Sequence, residues 1–328
     1  MGHRKHSQPR RGSLAYLPRG RAKSMEARIR GYPAVSGDEP RMLVHCGFKA
    51  GCLQVVSIDD REKTPNAGKQ LVSLGTLVVT PPLTVVGWRG YSKDSNGLHA
   101  EFDIFAEDLP KKITKKITLR TGEAAVRRSQ DTSNLKRICA IVAVVPRDAG
   151  LEQKKPYIFE APIEGGSVDA RVNYVSSLLG KSVKASDTFK TGAAVDVAAI
   201  TKGKGWQGVI KRYGAKRKQH KSRKSVRELG SLGPISPQYV MYTVPRAGQM
   251  GFHQRVEYNK RIMAMGEAGA GEVVGPPGGF KHFGDVRGDY IILKGSVPGT
   301  YKRLVKLRAQ IRNEPAKIVE PRILEVVV

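Results

Sequence analysis

The residues with the clearest chemical potential form the segment TKGKGWQGVIKRYGAKRKQHKSRKSVRELG, positions 201–230. Gly203, Gly205 and Gly208 spell G-x-G-x-x-G, the pattern of a turn that brings the backbone close to the pyrophosphate of a dinucleotide. The residues before it, VDVAAI at 195–200, are typical of a strand. The same segment is also dense in lysine and arginine, which neutralise the phosphates of a polyanion. Two kinds of phosphate chemistry are therefore open, a small cofactor or a nucleic acid.

The dinucleotide interpretation requires a helix that begins at the third glycine, within a βαβ unit. Glu228 stands 20 residues after Gly208, where an acid that binds ribose would be expected. Between them the sequence shows no amphipathic helical pattern and no second strand, and Tyr213 with Gly214 interrupts it. An NAD(P)-dependent oxidoreductase that uses the three glycines and Glu228 is therefore a disfavoured alternative, and no cofactor is predicted.

Other catalytic and metal motifs fail on spacing. LLGKS at 178–182 resembles the end of a phosphate-binding P-loop, but Val175 occupies the position of the first glycine. A zinc site would have to draw on four side chains, His45, Cys46, Cys52 and Cys139. The C-x5-C spacing does not suit zinc, and the three cysteines are predicted to be reduced, buried thiols. No Ser-His-Asp set is indicated, so the sequence predicts neither an enzyme nor a metal or small-molecule site.

The charge of the chain favours the nucleic-acid interpretation. The 328 residues include 57 lysines and arginines against 29 acids, a net charge of +28. Residues 1–31 hold nine of these cations and one acid, and residues 202–227 hold eleven and none. A globular body with two cationic arms is thus predicted, and such a charge is usually tolerated when the partner is a polyanion. A DNA-binding architectural protein is the second alternative, because it would share this charge.

The candidate RNA-binding residues combine cations for phosphates, glycines that expose backbone N–H groups, and Trp206 as a ring for stacking or for packing of the loop. A sparser polar set follows within 245–261. Together with the loop-tip residue Ile235, the candidates are His3, Arg4, Lys5, His6, Arg10, Arg11, Arg19, Arg21, Lys202, Lys204, Trp206, Lys211, Arg212, Lys216, Arg217, Lys218, His220, Lys221, Arg223, Lys224, Arg227, Ile235, Arg246, Gln249, His253, Arg255, Lys260 and Arg261.

The elements that must position these residues are mainly strands. MLVHCGFKAG, LQVVSID, TLVVTPPLTVVGWRGY, GLHAEFDIF, ICAIVAVV, DYIILKGSVPG and RLVKLR are β-branched or alternating segments bounded by glycine, proline or Asn-Gly. Pro81-Pro82 predicts a turn or an edge, and 168–179 carries apolar residues at helical spacing with Gly180 as its C-cap. The pattern predicts a mainly β fold, a small closed barrel with an α/β insertion.

Membrane and export signals are not expected. The longest apolar run, residues 138–145, is too short to cross a bilayer, and no apolar stretch follows the basic N-terminus. The myristoylation pattern fails at His6. A cytoplasmic protein without membrane contact is the expectation.

Six blocks of the sequence resemble one family, the universal large-subunit ribosomal protein L-three in its archaeal and eukaryotic form. They are HRKHSQPRRGSLAYLPR, VDVAAITKGKGWQGVIKR, LGSLGP, AGQMGFHQRVEYNK, GGFKHFGDV and LKGSVPGTYKR, which span essentially the whole chain. The resemblance implies a translation-protein-type β-barrel body, a basic N-terminal extension and a long basic central loop that enters 23S-type rRNA toward the peptidyl transferase centre. It also implies an early role in assembly of the 3′ rRNA domain and a ribosomal neighbour of the L-fourteen type.

The resemblance also suggests a division of the chain, and one departure from the family. The expected parts are an extension (1–31), the first part of the barrel (32–95), an α/β insertion (96–184), a barrel strand (185–201), the rRNA-penetrating loop (202–239), and the second part of the barrel with the C-terminal tail (240–328). Family members usually carry tryptophan at the loop tip, in G-P/A-W-x-P. Here Ile235 takes that place, which keeps an apolar wedge and loses the aromatic stack.

Overall fold

The computed structural model describes residues 10–35, 37, 39–114, 116–117, 132, 134–221, 225–236, 238–268, 275–312 and 318–327. Its elements, in chain order, are a 3-10 turn (Leu14–Tyr16), β1 (Arg41–Met42), β2 (Val44–Ile58), β3 (Gln70–Val79), β4 (Leu83–Asp94), β5 (Gly97–Phe105), α1 (Lys111–Thr114), β6 (Leu135–Val144), a 3-10 turn (Pro146–Ala149), β7 (Tyr157–Glu164), α2 (Val168–Ser177), β8 (Ser182–Val183), α3 (Ala185–Thr188), β9 (Ala194–Ile200), β10 (Trp206–Gln207), α4 (Val209–Tyr213), β11 (Gly248–Gln249), β12 (Gln254–Ala268), β13 (Gly288–Lys294), β14 (Leu304–Ala309) and β15 (Ile323–Val327). The prediction of a mainly β fold is confirmed.

The chain divides into two compact units. The β unit consists of Glu26–Ala199 and Arg255–Val328, and the loop unit consists of Met1–Met25 and Ile200–Gln254. Strand β9 leads the chain out of the β unit, and β12 leads it back.

The larger sheet of the β unit closes on itself. Its strand order is β14-β9-β12-β13-β3-β2-β15, and β14 also pairs with β2, so that six strands form a ring with β15 outside it. Val78, Val197, Ile262, Ile291 and Val305, from five of the ring strands, belong to one buried apolar cluster. Closure leaves these six strands without a free edge, which is how such sheets avoid edge-to-edge pairing.

A buried ion pair joins the ring strands β9 and β14. Arg308 donates to Asp196 at 2.6 Å, and the Asp196 carboxylate also accepts from the backbone N–H groups of Asn259 at 3.0 Å and Ile311 at 3.2 Å. Asp196 is fully buried. The buried carboxylate of β9 therefore accepts hydrogen bonds from one guanidinium and two backbone amides, and these bonds connect β9 with β12 and with the chain at and just after β14.

The second sheet has the order β1-β7-β6-β4-β5, and β8 pairs with β4. Strand β6, predicted from ICAIVAVV, lies between β7 and β4 and is almost wholly buried. The predicted helix over 168–179 is α2, which begins after the N-cap Ser167 and ends two residues before the expected Leu179. Gly180 has a φ of +73°, a left-handed conformation that glycine adopts without strain.

Several sequence predictions need local correction. Most of the segments MLVHCGFKAG and LQVVSID form one continuous strand, β2 (Val44–Ile58), whose pairing with β3 shifts in register between Lys49 and Gly51. The prediction that all three cysteines are buried is wrong for Cys52, which is exposed because β2 alternates and turns Leu53 inward. No helix among the described residues is long and apolar enough to span a membrane.

Candidate nucleic-acid interface

The two ends of the basic loop form an antiparallel ribbon. Backbone bonds link Thr201 to His253, Lys204 to Met250 and Phe252 to Lys202, at 2.9, 2.9 and 3.2 Å. The ribbon continues into the pairing of β10 with β11, where Trp206 lies opposite Gln249. A long loop therefore begins and ends on a regular two-stranded base.

The glycines of the ribbon have different roles. Gly251 has a φ of +73°, and a Cβ there would collide with the carbonyl oxygen of Lys202, so this position requires glycine. Gly205 also has a left-handed φ, of +66°. A Cβ added at Gly205 or at Gly208 would meet no atom within 4 Å, so the backbone there is open to an approaching ligand.

A helix follows Gly208, and the prediction that none begins there is wrong. Helix α4 starts after Gly208 as its N-cap and ends at Gly214, whose φ is +67°. The helix has five residues, none of them buried, and it is too short to show an amphipathic period in the sequence. Strand β9 pairs antiparallel with β14, and among the described residues α4 leads to no parallel strand. The βαβ unit that a dinucleotide site requires is not formed by this part of the chain.

The N-terminal segment and the basic loop, predicted as two arms, contact each other within the loop unit. The backbone N–H of Ala22 donates to the carbonyl of Phe252 at 2.8 Å. Nδ1 of His253 lies 2.8 Å from the carbonyl of Gly20. Arg10 and Arg11 donate to the carbonyls of Thr243 and Gly214. Cations that lie far apart in sequence thus come to one unit.

The described part of the loop unit carries fifteen lysine and arginine side chains and one acid, Glu228. Glu228 is 3.9 Å from Lys218. Most of the predicted phosphate-binding cations are exposed: Arg10, Arg11, Arg21, Lys202, Lys204, Lys211, Lys216, Arg217, Lys221, Arg227 and Arg246. His220 is exposed as well, and Arg19, Arg212, Lys218 and Gln249 are half-buried.

Three members of the sparser polar set, Arg255, Lys260 and Arg261, lie on β12 in the β unit. Lys260 forms an ion pair with Glu257 at 2.8 Å. Arg261 bonds to Asp60, and this guanidinium lowers the pKa of the Asp60 carboxyl. Lys260 and Arg261 therefore already have protein partners.

Large apolar side chains are exposed beside these cations. Trp206 is 77% exposed and Ile235 is 90% exposed, so neither packs on its own loop in the described structure. Tyr239 and Tyr242 are 69% and 80% exposed, and sequence reasoning did not include them among the candidates. The signal in the sequence was their position, in a segment rich in small and polar residues, without helical or strand period, that follows the cationic run. Exposed aromatic rings in a cationic surface are typical platforms for bases.

The loop unit has almost no apolar core. Among its described residues, Ile200 is the single apolar side chain that is buried, whereas the β unit contains extensive apolar clusters. Apolar burial is the dominant favourable term in folding. The order of the described part of the loop unit therefore comes mainly from its hydrogen bonds.

Six of the predicted site residues, His3, Arg4, Lys5, His6, Arg223 and Lys224, lie outside the described residues. The side chains considered for zinc do not converge: in the described part of the chain, no group of three His, Cys, Asp or Glu residues could hold a metal ion. His45 instead lies in the core, with its ring nitrogens 2.9 Å from the carbonyl of Cys46 and 3.4 Å from that of Val183. Burial lowers the pKa of His45 to about 4.

Comparison with known proteins gives one consistent result. The family model described as Ribosomal protein L3 matches residues 1–327. The chain is 42% identical over 317 residues to the large ribosomal subunit protein uL3 of Methanothermobacter thermautotrophicus, covering 94% of this chain and 93% of the relative. The corresponding protein of Pyrobaculum aerophilum is 44% identical over the same length and shares. That of Caldivirga maquilingensis is 43% identical over 327 residues, 95% of this chain and 92% of the relative.

Proposed function

Because the chain belongs to the ribosomal protein L3 family, whose members are structural proteins of the large ribosomal subunit, we propose that it binds 23S-type rRNA directly through its loop unit. The family assignment makes it a component of the cytoplasmic ribosome and not an enzyme. The observation that carries the rRNA proposal is the composition of the loop unit, which combines fifteen described cations with one acid and one buried apolar side chain.

Electrostatics support this proposal. Like charges at this density repel one another in the free protein, and the apolar burial that would offset the repulsion is missing from the described loop unit. Phosphates would neutralise the cations and release counterions, which is the main source of affinity for nucleic acids. Bound RNA would therefore stabilise the loop unit by neutralising the charges that repel one another in the free protein.

The described side chains suggest a division of roles. Exposed cations such as Lys204, Lys211 and Arg217 would contact phosphates, which position the protein on the RNA. The exposed rings of Trp206 and Tyr242 would stack on unpaired bases, since single-stranded RNA is recognised in this way. Ile235, the most exposed of the apolar residues, would insert as a wedge at the loop tip.

The place of the protein in the subunit is a finer proposal that rests on the family resemblance. The loop and the N-terminal extension would reach toward the peptidyl transferase centre, and the protein would act early in assembly of the 3′ rRNA domain. A protein of the L-fourteen type would be one of its neighbours. Co-sedimentation with assembly intermediates on sucrose gradients tests the order of incorporation.

Direct rRNA binding is tested by its salt dependence. We expect the protein to bind 23S-type rRNA transcribed from the same genome. If about 8 cations meet phosphates, log affinity would fall against log salt with a slope of roughly −6, several orders of magnitude between 50 and 400 mM. A flat response to salt would exclude the polyanion interpretation. Equal affinity for duplex DNA and rRNA across this range would favour the architectural DNA-binding alternative.

The matched control is a variant whose loop is removed at its base. Gln207 pairs with Gly248, so replacing residues 208–247 by Asn-Gly closes β10 and β11 with a two-residue hairpin turn. This variant should lose rRNA binding and keep the cooperative thermal unfolding of the β unit, because that unit contains nearly all buried apolar residues. Unchanged rRNA affinity in a folded variant would place the binding site elsewhere.

A further inference from the structure

We infer that Arg212, although it lies in the cationic run, is a positioning residue that holds the loop unit together and does not bind phosphate. Its guanidinium donates to three backbone carbonyls, two from the return segment of the loop and one from the N-terminal segment. Nε donates to Gln249 at 2.9 Å, Nη1 to Arg246 at 2.9 Å, and Nη2 to Arg19 at 3.4 Å. This inference deepens the proposed rRNA binding. One of its two measurements, rRNA affinity, rests on that proposal, and the other, hydrogen exchange of the free protein, does not.

The guanidinium of Arg212 packs closely against a glycine and an aromatic ring. A Cβ at Gly248 would lie 2.8 Å from Cζ of Arg212, so the guanidinium rests directly on the backbone of a buried glycine. The Cζ atoms of Arg212 and Arg19 lie 5.2 and 4.6 Å from the ring centroid of the next residue, Tyr213. A Cβ at Gly12 would collide with the same ring, so the N-terminal segment packs closely on it.

Arginine has the chemistry that this place requires. Its planar fork presents five N–H donors in fixed directions and stays charged at all relevant pH values, whereas lysine offers one compact ammonium group. Hydrogen bonds from a charged donor are about twice as strong as neutral ones. One side chain thereby joins the N-terminal segment, helix α4 and the return strand β11, in a unit whose described residues bury only one apolar side chain.

A neighbouring residue gives the contrast. Lys211 precedes Arg212 on the same helix, carries the same charge and is exposed, and Arg217 is exposed in the segment that follows. Phosphate contacts at these positions would tolerate exchange between lysine and arginine, because a point charge is sufficient. Position 212 would not tolerate an exchange to lysine, since one ammonium group cannot reach all three carbonyls.

The experiment compares Arg212→Lys with Arg217→Lys and Lys211→Ala in the full chain. For each we would measure affinity for the same 23S-type rRNA between 50 and 400 mM salt, and hydrogen exchange of the free protein. Arg212→Lys should lower affinity about tenfold, the worth of one charge-assisted hydrogen bond, with an unchanged salt slope. Lys211→Ala should reduce the slope by roughly 0.7–0.9, as expected for one lost phosphate contact. Arg217→Lys should keep the salt slope, because the positive charge that would meet a phosphate is retained.

Hydrogen exchange separates this inference from the proposed function. In free Arg212→Lys, the backbone amides of residues 202–207 and 248–252 should exchange faster than in the parent chain and in Arg217→Lys. If the parent chain fails to bind rRNA, the proposed function is wrong, and faster exchange would still support the positioning role. Unchanged exchange in Arg212→Lys would identify Arg212 as an ordinary phosphate ligand. A fourth variant, Arg212→Ala, gives a second test: a reduced salt slope, with a loss of rRNA affinity that disappears at high salt, would lead to the same conclusion.

Discussion

Removal of the buried carboxylate of Asp196 should destabilise the strand ring severely. Asp196→Ala leaves the Arg308 guanidinium, whose side chain is 6% exposed, without its counter-charge, and it leaves the N–H groups of Asn259 and Ile311 without their acceptor. Breaking a buried pair by removing one partner typically costs about 3–5 kcal/mol. We expect a loss of about 4 kcal/mol in the free energy of unfolding, a large share of the roughly 5–15 kcal/mol that stabilises a typical domain.

The chain provides its own reporter for this measurement. Trp88 lies in the core of the β unit, 2% exposed, with its ring centroid 5.3 Å from that of Phe102. The other tryptophan, Trp206, is exposed in the loop unit, so Trp206→Phe leaves fluorescence that reports the β unit alone. Chemical denaturation of Asp196→Ala in this background gives the free-energy difference from the shift in midpoint, provided that the denaturant slope is unchanged.

The matched control is the exposed ion pair between Asp148 and Lys112, 2.9 Å apart. Surface pairs contribute about 0–1 kcal/mol, so Asp148→Ala should unfold close to the parent chain. A loss below about 1 kcal/mol for Asp196→Ala would refute the view that this carboxylate secures the ring. Replacing both partners, as in Asp196→Leu with Arg308→Met, should recover much of the loss, because no buried charge is then left unpaired.

Two further predictions concern pH and the loop tip. The folded-state pKa of His45, about 4, lies below its ordinary value of 6.5, so neutral His45 favours the fold above pH 6.5. That contribution, about 3 kcal/mol, should be lost as pH falls from 6.5 to 4. His45→Gln should flatten this part of the stability profile measured by chemical denaturation, and an unaltered profile would contradict the assignment. Ile235→Ala should affect incorporation into large subunits little, whereas Ile235→Asp should impair it by placing a carboxylate among phosphates. Equal sedimentation profiles for the two variants would argue against a wedge.

The sequence predicts the β unit well because its elements follow from local pattern. Runs such as residues 138–145 are apolar enough to be buried on both faces, and Pro81-Pro82 does end one strand before the next begins. Register and closure depend on contacts between distant residues. The pairing of β14 with β2, which closes the ring, joins Leu304 to Phe48, and no local signal in either strand specifies it.

The sequence predicted the positive charge of the candidate interface, but not which of its cations face solvent. The density of lysine and arginine identified two cationic segments but not that they share one unit. It also could not separate cations that face solvent from cations that bond to other parts of the protein. Arg261 bonds to Asp60, 201 residues away, and Arg11 bonds to Gly214, 203 residues away. The glycine pattern was equally ambiguous. In the ribbon, a Cβ added at Gly251, outside the motif, would collide with the carbonyl oxygen of Lys202, whereas one added at Gly205 or Gly208 would meet no atom within 4 Å.

The two units are ordered by different physical terms, and this difference predicts how each responds to substitution. In the β unit, apolar burial dominates, so a core substitution should lower stability in the free protein whether or not RNA is present. In the loop unit, the described order depends on polar contacts, of which the Arg212 guanidinium makes three. On the proposed rRNA binding, weakening these contacts would increase the entropy lost on association, so the cost would appear as lower rRNA affinity with little change in the unfolding of the β unit.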